Sequence, residues 1–220
     1  MVGKMRKPCE PSEKPADRLS QKRRGFINGA FNLFIKQGFA KTKMSEIAQI
    51  AGSSLSTVYK CFPTKEELFA AVIEEKTHDV YREFDEVSQR HASAPPEEFL
   101  EIFGMKVLEL TLHESSILFM RLAISEGHKN DGRIGKLMFE RGFSTPLDVL
   151  EKYIVSKQKL GVFRACEASL TAARFFWMIK EPYHYYQLIM GSKLLMDGEE
   201  KRAVVRGAVE LFLRGVREDV

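Results

Sequence analysis

A chain of 220 residues, 44% hydrophobic and 29% charged, is long enough to bury one or two cores and too apolar to be a disordered polymer. No apolar run reaches the ~18 residues of a membrane-crossing helix, and no apolar stretch follows the first charges as in a secretory leader. Cys9, Cys61 and Cys166 stand too far apart for a disulfide framework or a metal cluster, so a reducing, cytoplasmic setting is expected. The net charge of +4 is unevenly spread. Residues 1 to 67 hold 13 basic and 6 acidic side chains, and the rest hold 21 and 24, so one end suits a polyanion.

In chain order, residues 1 to 18 combine Lys4, Arg6, Lys7 and Lys14 with Pro8, Pro11 and Pro15, the composition of a basic disordered tail. Helical periodicity then takes over. Phe26, Ile27, Ala30, Phe31, Phe34 and Ile35 recur at helical spacing up to Gly38. Met44, Ile47, Ala48 and Ala51 form a short amphipathic segment that Gly52 ends. Ser53 or Ser54 caps a second short helix with Val58 and Phe62 on its inner side. Thr64 is an N-cap, with Glu66 and Glu67 in the first turn of a helix running to about residue 90. Ala94-Pro95-Pro96 breaks the chain. Further helices are expected at 96–112, 115–127, 131–141, 144–159, 167–190 and 199–217, with Pro182 kinking or interrupting the fifth of these. No period-2 run suggests a strand, so the fold class is all-α.

Two short helices joined by a tight turn suit DNA reading for a geometric reason. One lies across the backbone while the other enters the major groove, which admits an α-helix. Ala48 and Ala51 are small at the expected crossing, Gly52 suits positive φ in the turn, and Ile47, Val58 and Phe62 supply the core. Leu55, Ser56, Thr57, Tyr59 and Lys60 would then face outward, offering hydroxyls, one cation and an apolar group for a thymine methyl. The same periodicity suits any small helical hairpin, in which Tyr59 would simply pack over its neighbours.

The ordered combination Gly38-Phe39, Thr42, Ile47-Ala48, Ala51-Gly52, Ser54, Thr57-Val58-Tyr59, Phe62-Pro63 and Lys65-Glu66-Glu67-Leu68, within residues 25 to 68, resembles the DNA-binding domain of the tetracycline-repressor (TetR) family. The resemblance implies an all-helical homodimer in three parts. These are a tail at 1–18, a helix-turn-helix domain at 19–65, and a ligand-binding and dimerisation domain at 66–220. Residue by residue, it implies that Thr42 or Lys43 touches phosphate, that Ser54 caps the recognition helix, and that Thr57, Tyr59 and Lys60 face DNA. Lys65 would hold a further phosphate. Ser53, Ser56 and Cys61 depart from the pattern, replacing an apolar anchor, a glycine and a phosphate-contacting side chain, which argues for a distinct operator.

Residues 96 to 190 are rich in large apolar side chains that a helical bundle needs for its core. Read functionally, Phe103, Phe119, Leu122, Phe139, Trp177, Tyr183 and His184 would line a pocket for a small apolar or amphipathic effector. Arg121-Leu122, Phe139-Glu140-Arg141-Gly142 and Lys180-Glu181-Pro182 resemble a C-terminal domain of one branch of the family. The last helices, with Val204, Val205, Ala208, Val209, Leu211, Phe212 and Val216 on more than one face, are the expected dimer surface.

The resulting expectation is a regulator that binds a palindromic double-stranded operator as a homodimer. An effector would release it by shifting the helix at 65–90. A redox-responsive regulator sensing through Cys61 or Cys166 is the alternative. Neither cofactor nor metal is expected. His78, His91, His113, His128 and His184 are scattered, with no catalytic or phosphate-loop motif, so enzymatic activity is not expected.

Overall fold

Proline, glycine and short polar side chains mark many of the helix limits among the described residues. The computed structural model describes residues 15–129, 132–142, 144–190 and 196–217. Among the described residues are eleven helices: α1 (Pro15–Lys41), α2 (Met44–Ile50), α3 (Leu55–Cys61), α4 (Lys65–His91), α5 (Pro96–Leu112), α6 (Glu114–Glu126), α7 (Arg133–Gly142), α8 (Ser144–Lys159), α9 (Ala168–Lys180), α10 (Tyr183–Met190) and α11 (Gly198–Val216). The one extended pairing among them is an isolated antiparallel bridge between Phe163 and Arg217. The all-α expectation holds.

Capping explains most starts. Thr64 Oγ1 accepts from the Glu67 amide at 3.1 Å, with Glu66 and Glu67 in the positive first turn of α4. The Asp197 carboxylate accepts from the Glu199 and Glu200 amides, and Glu200 returns to the Asp197 amide, closing a reciprocal box at α11. Pro96 opens α5 at a position where its missing amide proton costs nothing.

Two expectations need correction. α1 begins at Pro15, so residues 15–18 are helical rather than tail; residues 1–14 lie outside the described residues. A proline at the first helical position has the right φ, and no further proline or glycine follows until Gly25. The single helix expected at 167–190 is two. Proline disfavours helical backbone in the residue before it, and Glu181 is extended (φ −96°, ψ 149°), ending α9. The Pro182 carbonyl then accepts from the Tyr186 amide at 3.0 Å and starts α10.

Two hydrophobic cores result. The first joins Phe26, Ile27, Ala30 and Phe34 of α1 with α2, α3 and Leu68, Phe69, Val72 and Ile73 of α4. It also takes in Phe119 and Leu122 of α6 and Ile134 and Met138 of α7. Phe34, Phe39 and Phe69 meet with ring centroids 5.1–5.5 Å apart, and Phe119 stacks on Phe69 at 6.5 Å. Each fully buried phenylalanine there contributes ~1.5–3 kcal/mol. The second core gathers the far half of α4 with α5, α8, α9 and α11 around Phe84, Phe99, Phe103 and Phe175. The domain boundary expected after residue 65 therefore falls inside the first core.

Candidate nucleic-acid interface

The hairpin of α2 and α3 is built from inside outward. Ile47 and Val58 are fully buried, and Ala48 and Phe62 nearly so. Gly52 adopts φ +59° in the turn, as its lack of a Cβ allows. The Ser53 amide closes that turn on the Ala48 carbonyl at 2.9 Å. With the apolar positions turned inward, Leu55 (42% exposed), Ser56, Tyr59 (47%) and Lys60 are left on the solvent side of α3.

The start of α3 is a hydroxyl cluster. Ser54 Oγ accepts from the Thr57 amide at 3.2 Å and lies 2.9 Å from Ser56 Oγ and 2.8 Å from Thr57 Oγ1. It caps α3 as expected. Thr57 is half-buried beneath this cluster rather than fully outward. At the start of α2, Lys43 is exposed, and its amide donates to Glu46 Oε2 at 2.9 Å. That bond, with another from Gln37, holds the Glu46 carboxyl below its ordinary pKa.

Two expected phosphate contacts are placed differently. Thr42 is 2% exposed, and its hydroxyl donates to the Gly38 carbonyl at 2.8 Å. It closes the end of α1, leaving Lys43 as the solvent-facing member of the pair. Lys65 Nζ donates to the carbonyls of Phe39 (2.8 Å), Ala40 (3.3 Å) and Thr42 (3.0 Å), and lies 4.4 Å from the centre of the Phe39 ring. All three ammonium protons are occupied. Burial pulls the Lys65 pKa below that of a free lysine, against the attraction of Glu66 and Glu126. Lys65 therefore stitches the α1–α2 turn to α4 instead of pointing at a phosphate.

Sequence reasoning missed the residues that support the reader from outside it. Arg23 of α1 lies over the Phe62 ring at 5.0 Å. Glu126 of α6 accepts from the Ala40 amide at 3.4 Å, across 86 positions of sequence. The run Lys22-Arg23-Arg24 was a visible basic signal; nothing local marked Glu126.

The expected effector residues do not converge. Phe103 is fully buried in the second core, whereas Phe119 and Leu122 belong to the first. Phe139 (61% exposed) and Trp177 (51%) face outward, Tyr183 is half-buried, and His184 is buried. The helical rows that suggested one pocket cannot say which neighbour each row meets. Lys180 and His184 instead form a buried polar pair, Nζ to Nδ1 3.1 Å, with Glu181 beside them. Burial, reinforced by the Lys180 charge, lowers the His184 pKa. A cleft of about 240 Å³ lies elsewhere, lined by Glu101, Met105, Arg202, Val205 and Arg206, and includes none of the expected effector residues.

The redox alternative finds no support. The described residues pair neither Cys61 nor Cys166 with a second cysteine. The Cys166 sulfur accepts from Gln158 Nε2 at 3.2 Å and the Thr171 hydroxyl at 3.4 Å. Cys9 lies outside the described residues. Among the described residues no group of three or more His, Cys, Asp or Glu side chains is arranged to hold a metal. No helix there is long and apolar enough to cross a membrane.

Two short helices joined by a tight turn, the second capped and buried on its inner side, have the geometry of a helix-turn-helix. Residues 26–72 match the family model of bacterial regulatory proteins, tetR family, and residues 98–215 match that of the AefR-like transcriptional repressor C-terminal domain. The chain belongs to the TetR family of DNA-binding transcriptional regulators. A structure assigned to that family, from Mesorhizobium loti, is 25% identical and superimposes with a TM-score of 0.78 over 91% of this chain and 99% of that one. The flavonoid-responsive regulator FrrA (22% identity, TM-score 0.73, 91% and 100% covered) shares the fold. So does FadR from Bacillus subtilis, solved with stearoyl-CoA (18%, 0.65, 88% and 99%). No curated protein matches the chain.

Proposed function

We propose that the protein is a homodimeric repressor that binds a palindromic operator in the cytoplasm and is released by a small apolar or amphipathic effector. The observation that carries the reading is the outward row of Leu55, Ser56, Tyr59 and Lys60 on a rigidly capped α3. Hydroxyls and a lysine suit phosphates and base edges, and Leu55 suits a thymine methyl. Lys43 and the basic residues of α1 add sequence-independent attraction.

Dimerisation is supported by large apolar side chains on α9, α10 and α11 that the other described residues leave exposed. Trp177, Tyr185, Ile189 and Met190 of α9 and α10 and Leu211 of α11 are each half or more exposed. Val205, Ala208, Val209, Phe212 and Val216 of α11 turn the other way, into the second core. A second copy on this face would double the reader with half-sites about one helical turn, ~34 Å, or more apart.

The effector class rests on two supports. FrrA is flavonoid-responsive and FadR was solved with stearoyl-CoA, both with large apolar parts. Within the chain, the aromatic second core contains a buried Tyr153 hydroxyl with no hydrogen-bond partner among the described residues, a polar group able to orient a guest near Phe99 and Phe103. A guest there would push on α4, whose first half belongs to the DNA-reading core. Selection of genomic fragments by the purified protein tests the reading. An enriched palindrome, released by a compound that binds the second core, supports it. Binding without sequence enrichment at low salt would defeat the operator reading, and a bound compound that leaves operator affinity unchanged would defeat induction by that compound.

A further inference from the structure

Helix α6 is gripped on two sides, each time through one charged residue. Arg121 donates from Nε to the Leu188 carbonyl at 3.1 Å and from Nη2 to the Gln187 carbonyl at 2.7 Å. These carbonyls belong to the last turn of α10, where the helix leaves acceptors unpaired and favours a cation. Glu126, five residues later, is 5% exposed. Its Oε2 accepts from the Ala40 amide at 3.4 Å, and its Oε1 pairs with Lys129 Nζ at 2.9 Å.

Five residues correspond to about 7.5 Å along a helix and about 140° around it, so the two side chains leave α6 in nearly opposite directions. Phe119 and Leu122 lie on the Glu126 side, at spacings of seven and four, and are buried in the DNA-reading core. The turn that Glu126 reaches is shaped to receive it. Gly38 has φ +83°, and a Cβ there would stand 2.7 Å from Glu126 Oε1. The same turn is held from behind by Lys65 on the carbonyls of Phe39, Ala40 and Thr42. It leads directly into Lys43 and α2.

We propose that Arg121 and Glu126 are positioning residues for operator recognition: through them α6 acts as a strut between the partner-facing end of α10 and the α1–α2 turn, and so sets the distance between the two recognition helices of the dimer. This rests on the dimeric, operator-binding reading above. Neither side chain touches DNA. Loss of either grip leaves each reader intact and frees its angle relative to the dimer face, so affinity for a palindrome falls while affinity for one half-site does not.

The test uses the full chain as wild type, Glu126→Met and Arg121→Met, which keep side-chain length but remove the acceptor for the Ala40 amide and the donors to α10, with Lys129→Met as a variant at the surface that removes only the ion partner of Glu126. Each is titrated at low salt with the selected palindrome, with an isolated half-site, and with palindromes whose centre is lengthened or shortened by one or two base pairs. Thermal unfolding and molecular mass are measured alongside. The expected result is half-site affinity within twofold of wild type and at least a tenfold loss on the native palindrome. The preference among spacings should flatten, with a weaker change of the same kind for Lys129→Met. A wild type that prefers the native spacing while the folded variants keep that preference overturns the proposal alone; so does a loss that is equal on half-site and palindrome. A wild type that binds half-site and palindrome equally overturns the dimeric reading and the proposal with it.

Discussion

Lys65 Nζ donates to the Phe39 carbonyl at 2.8 Å while lying 4.4 Å from the centre of the Phe39 ring, so one cation closes the end of α1 through both the backbone and the side chain of the same residue. Hydrogen bonds from a charged donor contribute roughly 1.5–3 kcal/mol. Lys65→Met is expected to lower unfolding stability by about that amount and to weaken operator binding by loosening the turn before α2. Urea unfolding and a salt titration of binding check it together. Unchanged stability with a salt dependence shallower by about one phosphate would show the ammonium on DNA instead.

Lys60 and Tyr59 stand on the outer side of α3 and do not share that structural duty. Lys60→Ala is expected to reduce the slope of log affinity against log salt by about 0.9, the value for one phosphate. Tyr59→Ala is expected to cost about tenfold in operator affinity with the slope unchanged. Both should unfold within about 0.5 kcal/mol of wild type, as exposed substitutions do. Wild-type affinity in both variants would mean that the reading surface lies elsewhere.

Leu211 is exposed on α11, between Gly207 and Gly215, at each of which an added Cβ would meet nothing within 4 Å. A carboxylate placed there would be desolvated without a partner in any symmetric contact across this face. Leu211→Glu is therefore expected to yield a folded monomer by sedimentation, with helical content retained and palindrome affinity reduced. A dimer that survives the substitution would move the partner surface off α11.

His184 gives a pH dependence with a definite sign. Its folded pKa lies below the ordinary 6.5, because burial and then the Lys180 charge disfavour the imidazolium, and Glu181 only partly offsets them. In the unfolded chain the imidazole protonates near its ordinary value. As pH falls through that value the unfolded state binds the proton first, and stability drops until the folded pKa is reached. The wild type should lose thermal stability more steeply than His184→Gln between about pH 7 and pH 5. Equal slopes would place the acid-sensitive groups elsewhere.

The reading helix was legible because its determinants are local. Ser54 caps the helix that starts one residue later, Gly52 turns where a positive φ is needed, and Ile47 and Val58 face inward at helical spacing. Most later helix limits were equally legible, since Pro96 and Asp197-Gly198 act on their own neighbours. Pro182 was expected to kink or interrupt one helix at 167–190, and the chain instead forms two, with Glu181 extended and the Tyr186 amide bonded to the Pro182 carbonyl.

The effector residues fared differently because a helical row specifies a face and not the neighbour that covers it. Phe119 and Phe103 look alike in sequence, yet one packs on Phe69 beneath the DNA reader and the other on Phe84 in the second core. Periodicity and short-range capping pointed to a capped α3 with Leu55, Ser56, Thr57, Tyr59 and Lys60 on its outer side, of which Thr57 is half-buried under the Ser54 cap. Tertiary structure alone decided that Lys65 would hold the end of α1 and that Glu126 would meet Ala40. Those partners lie 23 to 86 positions apart, a separation over which only packing determines which charge meets which carbonyl or amide.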